Sequence, residues 1–221
     1  MNSPVTIPRL GGALLSIAAV SLTACSTVKY EALEKVGIYK RDILVDRVED
    51  ARDSQEETKE ELVEAYAELN TLIGEDGGNL ERQYKALNKK VERSRDAIGE
   101  LDDHLKAIDN VSRDLFKEWQ EELGQYSSAT LRRDQEQKLA DSRKQFTALR
   151  ARMQTARARV DPVMAVLNDN VLYLKHSLNA QALDALRGEA TALEGKVDAL
   201  IKDMQLAIDE ADAFISRMRD S

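Results

Sequence analysis

The chain has 221 residues, of which 33% are charged, 43% are hydrophobic and 5% are aromatic. This profile is typical of long amphipathic helices and argues against a sheet-based fold or a disordered chain. The net charge of -8 argues against non-specific binding to nucleic acid, and a single cysteine cannot close an internal disulfide.

Residues 1–24 have the features of a cleaved export signal. A short apolar run over residues 10–24 follows Arg9, which is the one charged side chain of the segment, and the run is too short for a permanent membrane span. It ends in the tetrapeptide LTAC at residues 22–25, which resembles the lipobox of bacterial lipoproteins. If this tetrapeptide is a lipobox, the thiol of Cys25 is acylated. The alternative is a cleaved signal without lipid, which leaves the only cysteine unexplained.

The resemblance to lipoproteins implies a diacylglycerol group on Cys25 and a further acyl chain on its amine, which together anchor the chain stably to a membrane. Residue 26 is serine, whereas an aspartate retains lipoproteins at the inner membrane of enteric-type bacteria. The resemblance therefore implies the inner leaflet of the outer membrane, with the protein facing the periplasm. Residues 25–28 form the predicted tether, and removal of residues 1–24 leaves a net charge of -9.

Residues 29–221 carry heptad spacing, in which apolar side chains recur at alternating steps of four and three, as in helices that pack side by side. Turn signals divide this single predicted domain into four helices, over residues 29–72, 79–125, 129–177 and 180–219. Each helix has about 40 to 50 residues, or roughly 60 to 75 Å, and the short connections force neighbouring helices to run antiparallel. The sequence therefore predicts an all-α fold, an elongated antiparallel bundle or coiled coil of four long helices.

Local signals support these boundaries. A glycine-rich turn follows the first helix at residues 74–78, and Asn79 and Ser128 are predicted N-caps of the second and third helices. Pro162 lies within the third stretch without loss of the heptad phase. We therefore expect a kink there and not a break.

Charge is distributed unevenly between the first and third helices. Residues 41–68 contain eleven acidic and four basic side chains, whereas residues 132–159 contain nine basic and three acidic ones. Because these two helices run parallel in an up-down bundle, the sequence predicts that the two segments lie side by side as charge partners. The alternative is that residues 132–159 bind an anionic polymer of the envelope.

Three strings are more specific than the heptads. They are LEKVGIYKRDILVDRV at residues 33–48, LRRD at residues 131–134 and VLYLKHSLNA at residues 171–180. These strings resemble a family of uncharacterised bacterial envelope proteins catalogued as domain of unknown function 2959, over about Tyr30 to Met218. The resemblance implies a helical lipoprotein without an established activity, so no functional residue is carried over.

No catalytic, cofactor or metal site is predicted. His104 shares its helix with Glu100 and Asp103, but a metal site needs three or four converging ligands, and His176 is expected to be solvated or capping. Residues 188–196 have the wrong glycine spacing for a phosphate loop. We therefore expect no enzyme activity, no cofactor, no metal and no nucleotide.

Two groups of residues leave alternatives open. The aromatic residues Phe116, Trp119 and Tyr126 are predicted to pack in the core, and the alternative is a docking patch for a partner. Polar residues at core heptad positions either set the register of the helices or hold a small ligand or metal. These polar positions are Gln55, Thr58, Ser94, Ser112, Gln135 and Ser142.

The leading hypothesis is a non-enzymatic protein of the cell envelope, tethered to the membrane by lipid, with a structural role or an adaptor role toward another envelope protein. One alternative is a periplasmic bundle that binds a ligand or metal. Another is an envelope scaffold in which copies of the chain self-associate.

Overall fold

The computed structural model describes residues 40–74 and 79–219. This part of the chain consists of four long α-helices and one 3-10 turn, without strands, which confirms the predicted all-α bundle. The elements are α1 (Lys40–Gly74), α2 (Leu80–Glu122), the turn Leu123–Gln125, α3 (Ala129–His176) and α4 (Ala180–Arg219). The predicted signal segment, the lipidated Cys25, the tether and the first predicted helical residues, 29–39, lie outside the described residues.

The predicted N-caps are both present. The side-chain oxygen of Asn79 accepts a hydrogen bond from the Arg82 amide at 3.3 Å, and the Ser128 hydroxyl oxygen accepts one from the Leu131 amide at 3.4 Å. Each cap satisfies a backbone donor that the first turn of a helix leaves without an intrahelical partner.

Helices α1 and α2 pack most extensively against each other, followed by α3 with α4 and α1 with α4. Helices α2 and α3 have a smaller interface, and α1 and α3 lie diagonally with little contact. The chain runs up, down, up and down. We call the end that holds Lys40 and the turn Leu123–Gln125 the proximal end, and the end that holds Gly74 and residues 177–179 the distal end.

The core is formed by the heptad positions of all four helices. Leu62, Leu101, Leu167 and Phe214 have no exposed surface, and burial of each such side chain contributes about 1.5 to 3 kcal/mol. Toward the proximal end, three phenylalanine rings join three helices in edge-to-face contacts. The ring centroids of Phe116 and Phe146 lie 5.7 Å apart, and those of Phe146 and Phe214 lie 6.2 Å apart.

The predicted core was wrong at the start of α3. Leu131 is 57% exposed, and Gln135 and Ser142 are only half-buried. The reason is a difference in height between α3 and α4. Arg217, near the end of α4, reaches Gln145 of α3 through a 3.2 Å hydrogen bond, so the first turns of α3 extend past the end of α4.

The predicted charge partnership was also wrong. In the part of the chain that the structure describes, no ion pair joins residues 41–68 to residues 132–159, because α1 and α3 are diagonal. The basic segment of α3 pairs instead with its neighbours, as in Arg150 with Asp109 of α2. The acidic segment of α1 does the same, as in Glu49 with Arg219 of α4.

Helix α3 runs without interruption from Ala129 through Pro162 to His176. This confirms the prediction that the helix does not break at Pro162. Pro162 is exposed, so the missing backbone donor is on the solvent side of the helix. Among the helices at residues 40–74 and 79–219, none is long and apolar enough to cross a membrane.

Candidate functional site

Three of the polar heptad positions are satisfied by backbone carbonyls. The Thr58 hydroxyl lies 2.7 Å from the Ser54 carbonyl, and the Ser94 hydroxyl lies 3.0 Å from that of Glu61. The Ser112 hydroxyl lies 3.2 Å from the Asp109 carbonyl and bonds within its own helix. These hydroxyls do not converge on a common site, so they are accounted for by helix packing.

Gln55 differs from these three residues. It has no exposed surface, and neither its amide nitrogen nor its amide oxygen has a hydrogen-bond partner among the described residues. A buried amide without partners costs free energy of roughly 1 to 3 kcal/mol. Among the six predicted polar positions, Gln55 is therefore the one whose buried side chain lacks hydrogen-bond partners in the described part of the chain.

The two histidines lie apart from each other. His104 is half-buried in the middle of α2, and His176 is exposed at the end of α3. The carboxylate of Asp103 beside His104 is engaged by Lys106 at 2.8 Å, and this hydrogen bond lowers the pKa of Asp103. Within residues 40–74 and 79–219, no three His, Cys, Asp or Glu side chains are placed to hold a metal ion.

Residues 188–196 are helical throughout and belong to the uninterrupted α4. A phosphate loop wraps its ligand with backbone amides that a continuous helix uses internally. The segment therefore has no loop that could surround a phosphate group.

The predicted aromatic group is divided between core and surface. Phe116 is buried, Trp119 is half-buried and Tyr126 is 39% exposed. The prediction of a core position was wrong for Tyr126, because α2 ends at Glu122 and the chain tightens into a 3-10 turn that buries Leu123 instead.

Trp119 lies at an open cleft of about 500 Å³ near the proximal end, which we call the proximal cleft. The indole N–H donates to the side-chain oxygen of Gln135 at 3.2 Å. Ser142, Arg41 and Arg217 also line this cleft. Two of the six predicted polar core positions, Gln135 and Ser142, thus lie at a solvent-accessible cleft.

The distal end carries a second candidate surface, which the sequence did not predict. Leu172, Tyr173 and Leu178 are 57%, 45% and 40% exposed, and they lie within seven positions of the chain. The heptad stripe of α3 passes through residues 171 and 174, so the two apolar residues between them are out of phase with the core. This phase mismatch is the signal that could have identified the surface.

Beside these residues, α3 and α4 form a groove of about 400 Å³, which we call the distal groove. Its lining residues are Asp169, Asn170, Tyr173, Ala185, Leu186 and Glu189. Asn170 is only 2% exposed, and its side-chain nitrogen has no hydrogen-bond acceptor among the described residues. The groove thus combines two carboxylates, an aromatic ring and an amide whose donor is unsatisfied.

Comparison with known proteins gives a family without a known activity. A family model described as a protein of unknown function (DUF2959) matches residues 29–218. No curated protein matches the chain.

Proposed function

From the premise that the chain belongs to the DUF2959 family, we propose that it is a lipid-anchored adaptor of the cell envelope, which presents a binding surface at the end of its bundle away from the membrane. The anchor of this proposal is Cys25, and the binding surface is the distal end with Leu172, Tyr173 and Leu178. The proposal contains no catalytic step.

The observation that supports the proposal is the placement of the exposed apolar residues relative to the start of α1. Residues 25–39 precede Lys40, so an anchor at Cys25 joins the bundle at its proximal end. Leu172, Tyr173 and Leu178 lie at the other end of α3, whose 48 residues span about 70 Å. With the proximal end toward the membrane, as the proposal has it, the distal surface is accessible to other components of the envelope.

A plain spacer has no need of such a surface. Large apolar residues that are clustered and exposed on a soluble domain mark an interaction site more often than an accident of composition. Of the other exposed large hydrophobic residues of the described chain, Tyr126, Ile201 and Leu206 are 39%, 36% and 40% exposed, and Leu131, at 57%, lies at the opposite end of α3 without a second large apolar residue within seven positions that is equally exposed. The distal cluster therefore favours an adaptor over an inert rod.

Site-specific photo-crosslinking in living cells tests this proposal. A photoreactive amino acid in place of Tyr173 is expected to capture one defined envelope protein, and the same residue in place of Ile201 on α4 serves as the matched exposed control. The capture should disappear with Cys25→Ala, which removes the anchor. Equal capture at both positions, capture of the chain by itself alone, or capture that persists without Cys25 would contradict the anchored adaptor.

A ligand-binding bundle is the second candidate, and the proximal cleft favours it. Trp119, Gln135 and Ser142 line an opening of about 500 Å³, which is within the range of small-ligand pockets. Native mass spectrometry of the purified protein tests this function. A bound mass that is lost with Trp119→Ala would support ligand binding, and the absence of any bound mass would count against it.

A further inference from the structure

We propose that the distal groove binds a basic side chain of the partner protein, with the guanidinium group of arginine as the ligand. This inference deepens the proposed adaptor function and rests on it, because it names the chemistry by which the distal end recognises its partner. The groove residues Asp169, Asn170, Tyr173 and Glu189 carry the inference.

The negative charge of the groove is not neutralised by ion pairs with other described residues of the chain. Asp169 of α3 and Glu189 of α4 have no ion-pair partner among the described residues, although both line the same opening. The nearby acid Asp184 is different, because it pairs with Arg187 at 2.6 Å. Two carboxylates on neighbouring helices that face one groove favour a cation between them, and a planar guanidinium bonds to carboxylates through several donors at once.

Asn170 provides the second and independent observation. Its side chain is almost completely buried at 2% exposure, it lines the groove, and its amide nitrogen has no acceptor among the described residues. A peptide segment supplies what this amide lacks, because the backbone carbonyl beside a basic side chain is an acceptor.

Tyr173 forms a wall of the groove and is 45% exposed. An aromatic face attracts a cation, and arginine also stacks on it through its flat guanidinium group. Leu172 and Leu178 lie beside the groove in the chain and are exposed, so they extend the contact to apolar side chains of the same partner segment. The expected partner segment is therefore basic with adjacent apolar residues.

The chain itself has such a segment, but at the wrong end. Leu131 is exposed and precedes Arg132 and Arg133 at the start of α3, which is the proximal end. Copies that are anchored in one membrane stand in the same direction, so the proximal end of one copy does not reach the distal groove of its neighbour. This geometry favours a different protein as the partner over a second copy.

Titration of the full-length protein in detergent by NMR tests the groove directly. The probes are N-acetyl-arginine amide and N-acetyl-citrulline amide, which have similar shapes but differ in charge. We expect saturable shifts of the Asn170 side-chain amide with the arginine probe alone. The double variant Asp169→Asn/Glu189→Gln should weaken this binding about tenfold, which corresponds to about 1.4 kcal/mol, because two charge pairs are lost.

The matched control is Asp184→Asn/Glu194→Gln, which removes the same charge from exposed positions of α4 that do not line the groove. It should bind the arginine probe within about twofold of the wild-type protein, because neither carboxylate lines the groove and that of Asp184 already pairs with Arg187. Equal binding of the two probes, or equal weakening by the two double variants, would overturn the groove proposal.

The two proposals fail in different ways. If the arginine probe does not bind, but a photoreactive residue at position 173 still captures an envelope protein in a manner that depends on Cys25, the adaptor stands and the groove chemistry falls. If the arginine probe binds as expected and no such capture occurs, the groove is a guanidinium site and the adaptor role falls.

Discussion

Arg157 of α3 holds Asp102 of α2 through two hydrogen bonds, with Nε–Oδ1 and Nη2–Oδ2 distances of 2.6 and 3.0 Å. Arg150 and Asp109 repeat this arrangement seven residues away on each helix, at 2.6 and 2.8 Å. The pKa of Arg157 is raised, mainly by its hydrogen bonds to the carboxylate of Asp102. This contact favours the charged form of the guanidinium group. Two charged pairs one heptad apart are placed to hold the register of α2 and α3, which share a smaller interface than α1 with α2 or α3 with α4.

The first prediction concerns these two pairs. Asp102→Asn/Asp109→Asn should lower the free energy of unfolding by about 1 to 2 kcal/mol, because each change removes a two-point pair from a guanidinium that is only partly exposed. Urea unfolding followed by circular dichroism measures this loss. The control Asp184→Asn breaks an ion pair within one helix and should leave the midpoint almost unchanged. Equal losses in the control and the double variant would show that the pairs do not fix the register.

The second prediction concerns the buried amide of Gln55. Gln55→Leu should raise the free energy of unfolding by about 1 to 2 kcal/mol, because an apolar side chain of similar size removes two buried polar atoms that lack partners in the described part of the chain. Thermal and urea unfolding of the full chain measure this gain.

Thr58→Val is the matched control for Gln55→Leu. The Thr58 hydroxyl already lies within hydrogen-bond distance of the Ser54 and Ala97 carbonyls. Thr58→Val should therefore not raise the free energy of unfolding as Gln55→Leu does. A loss of stability in Gln55→Leu would instead mean that the amide has a partner in solution, such as a buried water or a small ligand. That result would favour the ligand-binding hypothesis derived from the polar heptad positions.

The heptads were sufficient to predict four long helices, and the capping residues Asn79 and Ser128 were sufficient to place two helix starts. Both are local signals, since a cap acts within one turn and a heptad acts along one helix. The heptads also predicted most of the residues that form the interior of the bundle. Leu62 and Leu101, which lie at heptad positions of α1 and α2, have no exposed surface.

Relations between helices were harder to predict. Leu131 is exposed although it lies at a heptad position of α3, because its burial also requires that α4 extend to the same height. The charge totals of α1 and α3 suggested a partnership, but totals do not tell which face of each helix carries the charges or which helix is adjacent. The distal groove is lined by residues of both α3 and α4, such as Tyr173 and Ala185, and no pattern within a single helix contains this combination.

The third prediction concerns Pro162. This residue is exposed inside α3 and cannot donate a backbone hydrogen bond there. Pro162→Ala should raise the free energy of unfolding by about 1 to 3 kcal/mol, since the helix gains a donor without losing a core contact. Urea unfolding measures this effect. Ala165→Ser, at an exposed position of the same helix, is the control and should have a much smaller effect. A destabilised Pro162→Ala protein would mean that the bundle requires the backbone geometry that proline imposes at this position.

The fourth prediction concerns the ion pair between Glu64 of α1 and Lys90 of α2. The hydrogen bond from Lys90 lowers the pKa of Glu64 below its ordinary value of 4.5. A carboxyl group that is more acidic in the folded state than in the unfolded state stabilises the fold above the ordinary pKa. This contribution is lost as the pH falls through the folded-state value. Glu64→Gln should therefore be less stable than the wild type at pH 7, and this difference should shrink below pH 4.5.

Urea unfolding at a series of pH values from neutral to acid measures the difference between the two proteins. Glu68→Gln is the matched control, because Glu68 lies one turn further along α1 and has no ion pair with a described residue. Its curve should run parallel to that of the wild type over the whole series. If Glu64→Gln also runs parallel to the wild type into acid, the pair with Lys90 does not contribute to the pH dependence.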